Sequence, residues 1–311
     1  MAAIMNPLSY KYLADTIPFV QDGKTLLSIG FHITFYFGDG NVAESRQAII
    51  KLFNEYMHLC GNQLKWQTHP VTFNWQEITK QHSPEYWVLE NPEKTVVWQI
   101  CLHGGRTLDE SSPYRVEAVG YPNPDRELSF FSVGFPATWF SDPDKEDLVA
   151  LVTRWANILK PWHGSAGFSI MSSLDTKQES KMSPHAYALA RRFPGLEFSD
   201  PTSHGLYLQD GIKSVNWLTS IKNSLVDELG GAEFLKQAFE HDTDILLHPY
   251  EGGLIIQAGQ YPEIGDVNFQ LIPEHYRNVN KVLKPIRVGS QHRPFLGFTE
   301  ESTQAWLARF D

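Results

Sequence analysis

The side chains of this chain that could act as a nucleophile and its base are a serine and a nearby histidine. Segment 162–167 reads WHGSAG, which places Ser165 two residues after His163. A serine hydrolase of the nucleophile-elbow type needs a glycine two residues before the serine, on a sharp strand-to-helix turn. That glycine is missing here. We therefore interpret the segment as a glycine-containing loop that leads into a strand.

Two histidines near carboxylates suggest a metal site but do not have its spacing. His241 and His248 lie close in sequence to Asp242 and Asp244. The chain has no HExxH zinc pattern and no Asp-rich calcium loop. His248 follows a short apolar run, so we expect it to lie at a strand end and to be satisfied by a hydrogen bond. We predict no metal and no cofactor.

Four carboxylates, Asp142, Asp144, Glu146 and Asp147, form an acidic cluster before an apolar helical stripe. Carboxylates are favoured in the first turn of a helix whatever the function, because they oppose the positive end of its dipole. They could instead form a recognition surface for a basic partner. Both interpretations stay open at this point, and the cluster is our candidate binding site.

The composition describes a globular, acidic chain. Of its 311 residues, 42% are hydrophobic and 20% charged, and the net charge is −10. The negative charge is spread evenly, which argues against nucleic-acid binding, since phosphates are neutralised by clustered Lys and Arg. We see no signal peptide and no apolar run that could span a membrane, so we expect a cytoplasmic protein.

The apolar pattern predicts an α+β fold of mostly antiparallel strands with flanking helices. Apolar residues alternate with polar ones, including His32, from Leu26 to Phe37, as in a strand with one face in the core. Strand-like runs at 94–103, 114–121 and 127–135 predict an antiparallel meander. A helix should start at 141–144. We treat 1–311 as one domain, with an irregular segment at 1–24 and a docked helix, capped by Thr299, within 295–311.

The second half of the sequence repeats this order of elements loosely. We expect strands at 167–171, 244–248, 253–258 and 267–271, and a helix from Pro273. Strand, helix, three strands and helix then occur twice, with an additional strand and helix in the second copy. This predicts an internal pseudo-duplication.

Segment 211–287 carries the residues that we expect to organise the fold. Residues 212–218 should form a strand that buries Trp217, followed by a helix from Ser220. Gly230 and Gly231 should end that helix, because glycine adopts positive φ without a Cβ clash. Gly259 should end the strand 254–258, and the remaining motif residue is Asp266, in the GD that follows.

These motifs resemble the type VI immunity protein family. The similarity is carried by VNWLT, the ELGG turn, the LIIQAG strand with its GD, and the YR…LKPIR helix, and it extends back to LLSIGFHITFYFGDG. It covers most of the chain and departs from the family pattern at 222–223, just before the ELGG helix. The resemblance implies a cytosolic antitoxin that binds a type VI effector, and it transfers no catalytic residue.

Two functions therefore remain open from the sequence. The first is a stoichiometric binding protein that is not an enzyme and neutralises a cognate effector toxin, which we expect to be a nuclease rather than a lipase or peptidoglycan hydrolase. Its partners would include neither nucleic acid nor membrane. The alternative is a hydrolase whose active site is assembled from dispersed residues such as His32, His163 and nearby carboxylates.

Overall fold

A single sheet of 12 strands organises the described part of the chain. The computed structural model describes residue 13 and residues 17–69, 72–79, 84–89, 97–289, 294–295 and 297–311. The strands are β1 Phe19–Gln21, β2 Lys24–Phe37, β3 Trp66–Thr68, β4 Trp75–Glu77, β5 Trp98–His103, β6 Arg115–Gly120, β7 Ser129–Pro136, β8 His163–Ser172, β9 Glu197–Phe198, β10 Leu218–Lys222, β11 Ile245–Tyr250 and β12 Gly253–Ala258. The helices are α1 Ala43–Cys60, α2 Pro84–Val88, α3 Leu148–Leu159, α4 Glu179–Arg192, α5 Pro201–Gly205, α6 Asn223–Glu228, α7 Ala232–Ala238, α8 Glu274–Leu283 and α9 Glu300–Leu307.

The sheet runs in the order β11-β12-β10-β8-β2-β7-β6-β5-β3-β4, with β1 beside β2 and β9 beside β8. Every pairing between these strands is antiparallel except that of β8 with the short β9. The predicted α+β class with a mostly antiparallel sheet is confirmed. The predicted meander is also confirmed, because β5 pairs with β6 and β6 with β7.

The long central strand β2 shows why the sheet forms here. Its alternate residues Phe31, Ile33 and Phe35 are at most 1% exposed and point to one face, as the two-residue period of a strand requires. Helices α1 and α3 cover that face with their own apolar stripes. The largest core cluster therefore lies between the sheet and these helices.

The opposite face of β2 is also buried, which the sequence did not predict. His32 and Thr34, expected on a polar face, are 6% and 3% exposed. Segment 199–214 lies over this face at Thr34, and Lys213 there forms an ion pair with Glu197. The sheet is thus covered on both faces in its centre. Its second face can bury polar groups such as His32 and Thr34 because both are hydrogen-bonded to Ser132 of β7.

A second cluster packs α4 and α9 against the first half of β2 and the second half of β8. Thr299 caps α9: its side chain accepts a hydrogen bond from the Ser302 amide, and the Ser302 side chain accepts one from the Thr299 amide. This reciprocal capping box fixes where the last helix begins. Trp306 and Leu307 of α9 are buried in the cluster.

Several predicted elements are wrong in position or type. Residues 267–271 form no strand: Val267–Phe269 is a 3-10 turn, because the Asp266 side chain accepts from the Asn268 amide and Gln270 is left-handed. The strand predicted at 212–218 is instead β10, and helix α6 begins at Asn223.

Other predicted boundaries move by a few residues. Helix α3 begins at Leu148 and not at 141–144, because the Asp147 side chain provides its cap. The strand predicted at 167–171 already begins at His163. The segment predicted as irregular at 1–24 lies mostly outside the described residues, and its described end forms β1 and the start of β2.

The strand order does not reproduce the predicted echo between the two halves. Strand β2 pairs with β7, the last strand of the meander that follows α1. Strand β8 instead pairs with β10, the first strand of the long antiparallel run that follows α4. The strand predicted at 267–271 is also absent. Each half therefore contributes one long central strand, but the order in which its other strands pair with it differs.

Candidate functional site

The acidic cluster lies where the chain leaves β7 and enters α3. Asp142 and Asp144 are exposed, and the Asp142 side chain accepts from the Asp144 amide at 3.1 Å. Asp147 is also exposed and caps α3 by accepting from the Ala150 amide at 2.8 Å. Asp142 and Asp144 therefore have no role in starting the helix, whereas Asp147 has one.

Glu146, the fourth member of the cluster, is held by a neighbouring arginine. Arg154 on α3 donates to both of its carboxylate oxygens and also bonds Glu55 of α1 at 3.3 Å. Such an ion pair neutralises Glu146 locally and ties the cluster to α1. Asp142 and Asp144 remain the carboxylates most accessible to a partner.

A second acidic surface, unpredicted as a site, lies between α6 and β11. Residues 223–244 contain six carboxylates (Asp227, Glu228, Glu233, Glu240, Asp242 and Asp244) against one lysine. The register of the sheet puts the end of β7, the end of β12 and the beginning of β11 at the same end of the sheet. The acidic cluster and the residues just before β11 therefore share one end of the molecule, which we call the acidic end.

Asp242 and Asp244 meet a histidine there, but not one of the two considered from the sequence. His275 at the start of α8 places Nδ1 2.9 Å from Asp242 Oδ2 and Nε2 3.9 Å from Asp244 Oδ2. Among the described residues, this is the group whose donor atoms lie close enough together to hold a metal ion. Burial raises the pKa of Asp242 but hydrogen bonds from Asn278 and His275 lower it, and the net shift is downward.

The two histidines from the sequence have other roles. His248 lies within β11 and not at a strand end as predicted, and, as expected, it is satisfied by a hydrogen bond, here with the Gln257 side chain of β12 at 2.8 Å. His241 is 90% exposed and lies near Glu240. No local sequence pattern marks His275; in the structure a Cβ at Gly259 would come within 2.8 Å of its imidazole.

The remaining motif residues serve the fold. Trp217 is 2% exposed and donates from Nε1 to the Gly259 carbonyl at 2.9 Å. Gly230 and Gly231 have φ of 101° and 91° and join α6 to α7, and Gly259 has φ of 90° after β12. Asp266 bonds Arg192 at 2.8 Å. Gly230 and Gly231 thus form the turn between two helices, whereas Trp217, Gly259 and Asp266 shape the loop that follows β12.

The hydrolase alternative depends on histidines that the fold keeps buried and neutral. His32 Nε2 lies 2.8 Å from Ser132 Oγ, the distance of a serine–histidine pair. Burial, with the positive charges of Arg115 and Lys213, lowers the pKa of His32 to about 3. A general base is most effective with a pKa near the working pH. This pair is therefore unsuited to activate a nucleophile.

His163 and Ser165 form no nucleophile elbow either. Both lie within β8, and His163 Nε2 bonds the Leu208 carbonyl at 2.8 Å. Burial lowers the pKa of His163 to about 4. The loop expected at 162–167 is thus a strand, and the described residues place no accessible nucleophile beside either histidine.

No helix among the described residues is both long enough and apolar enough to cross a bilayer. Comparison with known proteins identifies a family and similar solved structures. The sequence matches the TsiV family, described as "Type VI immunity for VRR-NUC", over residues 48–310. The fold is similar to that of a T6SS protein of Pseudomonas aeruginosa, with a TM-score of 0.81 at 22% identity, covering 93% of this chain and 83% of that one. Sequence comparison with curated proteins gives no match.

Proposed function

Because the chain belongs to the TsiV family of type VI immunity proteins, which neutralise a nuclease effector, we propose that it does so by direct binding in the cytosol. One protein molecule would occupy the active site of one effector, or the path of its substrate. The observation that carries this proposal is the family match over residues 48–310. Protection would then be stoichiometric, without catalysis by this chain and without a nucleic-acid or membrane partner.

The charge of the protein supports a nuclease as the partner. A domain that binds nucleic acid is basic, and a protein with a net charge of −10 attracts it through long-range fields. These fields increase the association rate most at low ionic strength, since salt screens them over about 10 Å at 0.1 M.

We propose that the effector contacts the acidic cluster, with Asp142 and Asp144 as its accessible members. Glu146 and Asp147 would add to the field while also serving Arg154 and the α3 cap. Reversing all four charges would therefore affect both folding and binding. Reversing only Asp142 and Asp144 leaves those two structural roles intact and isolates the effect on binding.

The first test of the function measures rescue and stoichiometry. A type VI nuclease effector, sought first in the gene that neighbours the one for this chain, is expressed in the cytosol with and without the protein, and survival and DNA integrity are followed. We expect survival with intact DNA. In vitro, nuclease activity should fall linearly with added protein and vanish near a 1:1 ratio. Complete inhibition at a small fraction of that ratio would indicate an enzyme, and no rescue would refute the antitoxin function.

The second test compares two pairs of charge reversals. Asp142→Lys with Asp144→Lys should slow association with the effector, while Asp125→Lys with Asp210→Lys serves as the matched control. The control residues are exposed and lie towards the other end of the sheet, near the start of β7 and the end of β10. Equal slowing by both pairs would mean that only net charge matters and that the acidic cluster is not the contact.

A further inference from the structure

A loop at the acidic end exposes three large apolar side chains within five residues. Val267, Phe269 and Leu271 are 41%, 70% and 60% exposed. Single exposed apolar residues are common on protein surfaces, but contiguous apolar patches mark interaction sites. We call residues 266–271 the apolar loop. It connects the turn after β12 to α8, the helix that carries His275.

The apolar loop is held rigidly in this exposed conformation. The amides of Asp266 and Leu271 each donate to the carbonyl of the other, at 2.7 and 3.0 Å. The Asp266 carboxylate accepts from the Asn268 amide at 3.0 Å and from Arg192 of α4. A Cβ at Gly265, whose φ is 64°, would come within 2.6 Å of the Leu271 carbonyl oxygen. These contacts limit the ability of the loop to turn its apolar side chains inward.

Rigid presentation of an aromatic side chain is the property of an interface anchor. A preorganised loop loses little conformational entropy when it is covered by a partner, so more of the burial energy contributes to affinity. Aromatic anchors that fill a pocket of the partner carry a large share of binding energy. Phe269, the most exposed large apolar residue among those described, is placed to act in this way.

The carboxylates of the acidic end indicate the chemistry of the partner. Asp242 and Asp244 contact His275 in the first turn of α8, the helix that follows the loop. The acidic cluster lies at the same end of the sheet.

The cavities directly beside the loop are lined by Arg191, Arg192 and Arg309 as well as by Asp266 and Glu301, so the charge that favours a basic partner is that of the acidic end as a whole. An apolar anchor at this end is complementary to a partner that has an apolar pocket beside a basic surface. A nuclease that binds phosphates provides such a surface.

We propose that the apolar loop is the anchor of the effector-binding surface, with Phe269 inserted into an apolar pocket beside the basic substrate path of the nuclease. This inference rests on the proposed function, because it names the surface through which the effector would be bound. It assigns a binding role to residues for which the sequence predicted a strand.

The test uses the full-length protein and the purified, catalytically inactivated effector encoded beside it. Phe269→Ala should weaken binding about 30-fold or more, the effect of removing an interface hot spot, and Leu271→Ala should weaken it less. The matched control is Phe73→Ala, another exposed phenylalanine (46%), which lies between β3 and β4 towards the opposite edge of the sheet. It should leave binding unchanged, and all three variants should melt like the parent.

The outcomes separate this inference from the function on which it rests. Wild-type binding with equal binding by Phe269→Ala refutes the anchor and leaves the proposed function intact. Absence of wild-type binding refutes the proposed function and the anchor with it. A dimer of the free protein that Phe269→Ala dissociates, with effector binding unaffected, would show that a second copy covers the apolar loop and would also refute the proposal.

Discussion

Replacing Trp217 tests whether one buried side chain joins the sheet to the loops at the acidic end. Its ring packs edge-on against Phe31 and Phe140, with centroids 5.8 and 5.7 Å away. Its indole N–H bonds the Gly259 carbonyl. Trp217→Ala should cost about 3–5 kcal/mol of unfolding free energy, because the surrounding rings cannot close the cavity.

The structure also predicts a milder effect for a second variant. In Trp217→Phe the Gly259 carbonyl keeps a hydrogen bond from the Gln257 side chain at 3.0 Å, so no buried acceptor is left unpaired. This variant should cost about 1–2 kcal/mol. The unfolding entropy of a chain of 311 residues is about 0.65 kcal/mol/K, so Trp217→Ala should lower the melting temperature by about 6 °C.

The assay is urea unfolding followed by circular dichroism, combined with effector binding at a temperature where both variants are folded. We expect both variants to bind like the parent, since Trp217 has no exposed surface to offer. A Trp217→Ala protein that melts with the parent yet loses effector binding would refute this reasoning and place Trp217 in the binding surface.

Three further predictions concern buried or capping groups. Lys213→Met should cost about 3–5 kcal/mol because it leaves Glu197 buried without its cation; adding Glu197→Leu should recover most of this loss, and a double-mutant cycle in urea without such recovery would contradict the prediction. Asp147→Ala should cost about 0.5–2 kcal/mol through loss of the α3 cap, measured by the same method. His32 stays neutral in the folded protein, with a pKa of about 3, whereas in the unfolded chain it binds a proton near pH 6.5. The contribution of His32 to the free energy of unfolding should therefore be full above pH 6.5 and should fall by about 2 kcal/mol at pH 5. Equal unfolding midpoints at pH 7 and pH 5 would contradict this.

The fold class could be predicted because each strand shows its own period in the sequence. The alternation in β2 and the three meander runs are local patterns, and such patterns indicate that a segment is a strand and which of its residues face the core. The strand order could not be predicted, because β2 and β8 are separated by more than a hundred residues and their pairing depends on tertiary contacts. The burial of the polar face of β2 depends on segment 199–214, which gives no sign of this in its composition.

The acidic end shows the same limit for the candidate site. Asp242 was recognised from its neighbours, but its partner His275 lies 33 residues away, and tertiary contacts bring the two together beside Gly259. The apolar loop shows the opposite error. Its alternation of Val267, Phe269 and Leu271 is the pattern of a half-buried strand, but Asp266 caps a turn there. The alternation therefore exposes the apolar side chains and does not bury them.

The acidic cluster and the apolar loop should control different steps of effector binding, and kinetics can separate them. Charges act before contact, so Asp142→Lys with Asp144→Lys should lower the association rate constant and weaken its salt dependence. An anchor acts after contact, so Phe269→Ala should raise the dissociation rate constant and leave the salt dependence unchanged. Surface plasmon resonance at two salt concentrations measures both constants. If the charge reversals changed only dissociation, or Phe269→Ala changed only association, this division of roles would be wrong, and the carboxylates would have to be direct contacts in the bound complex.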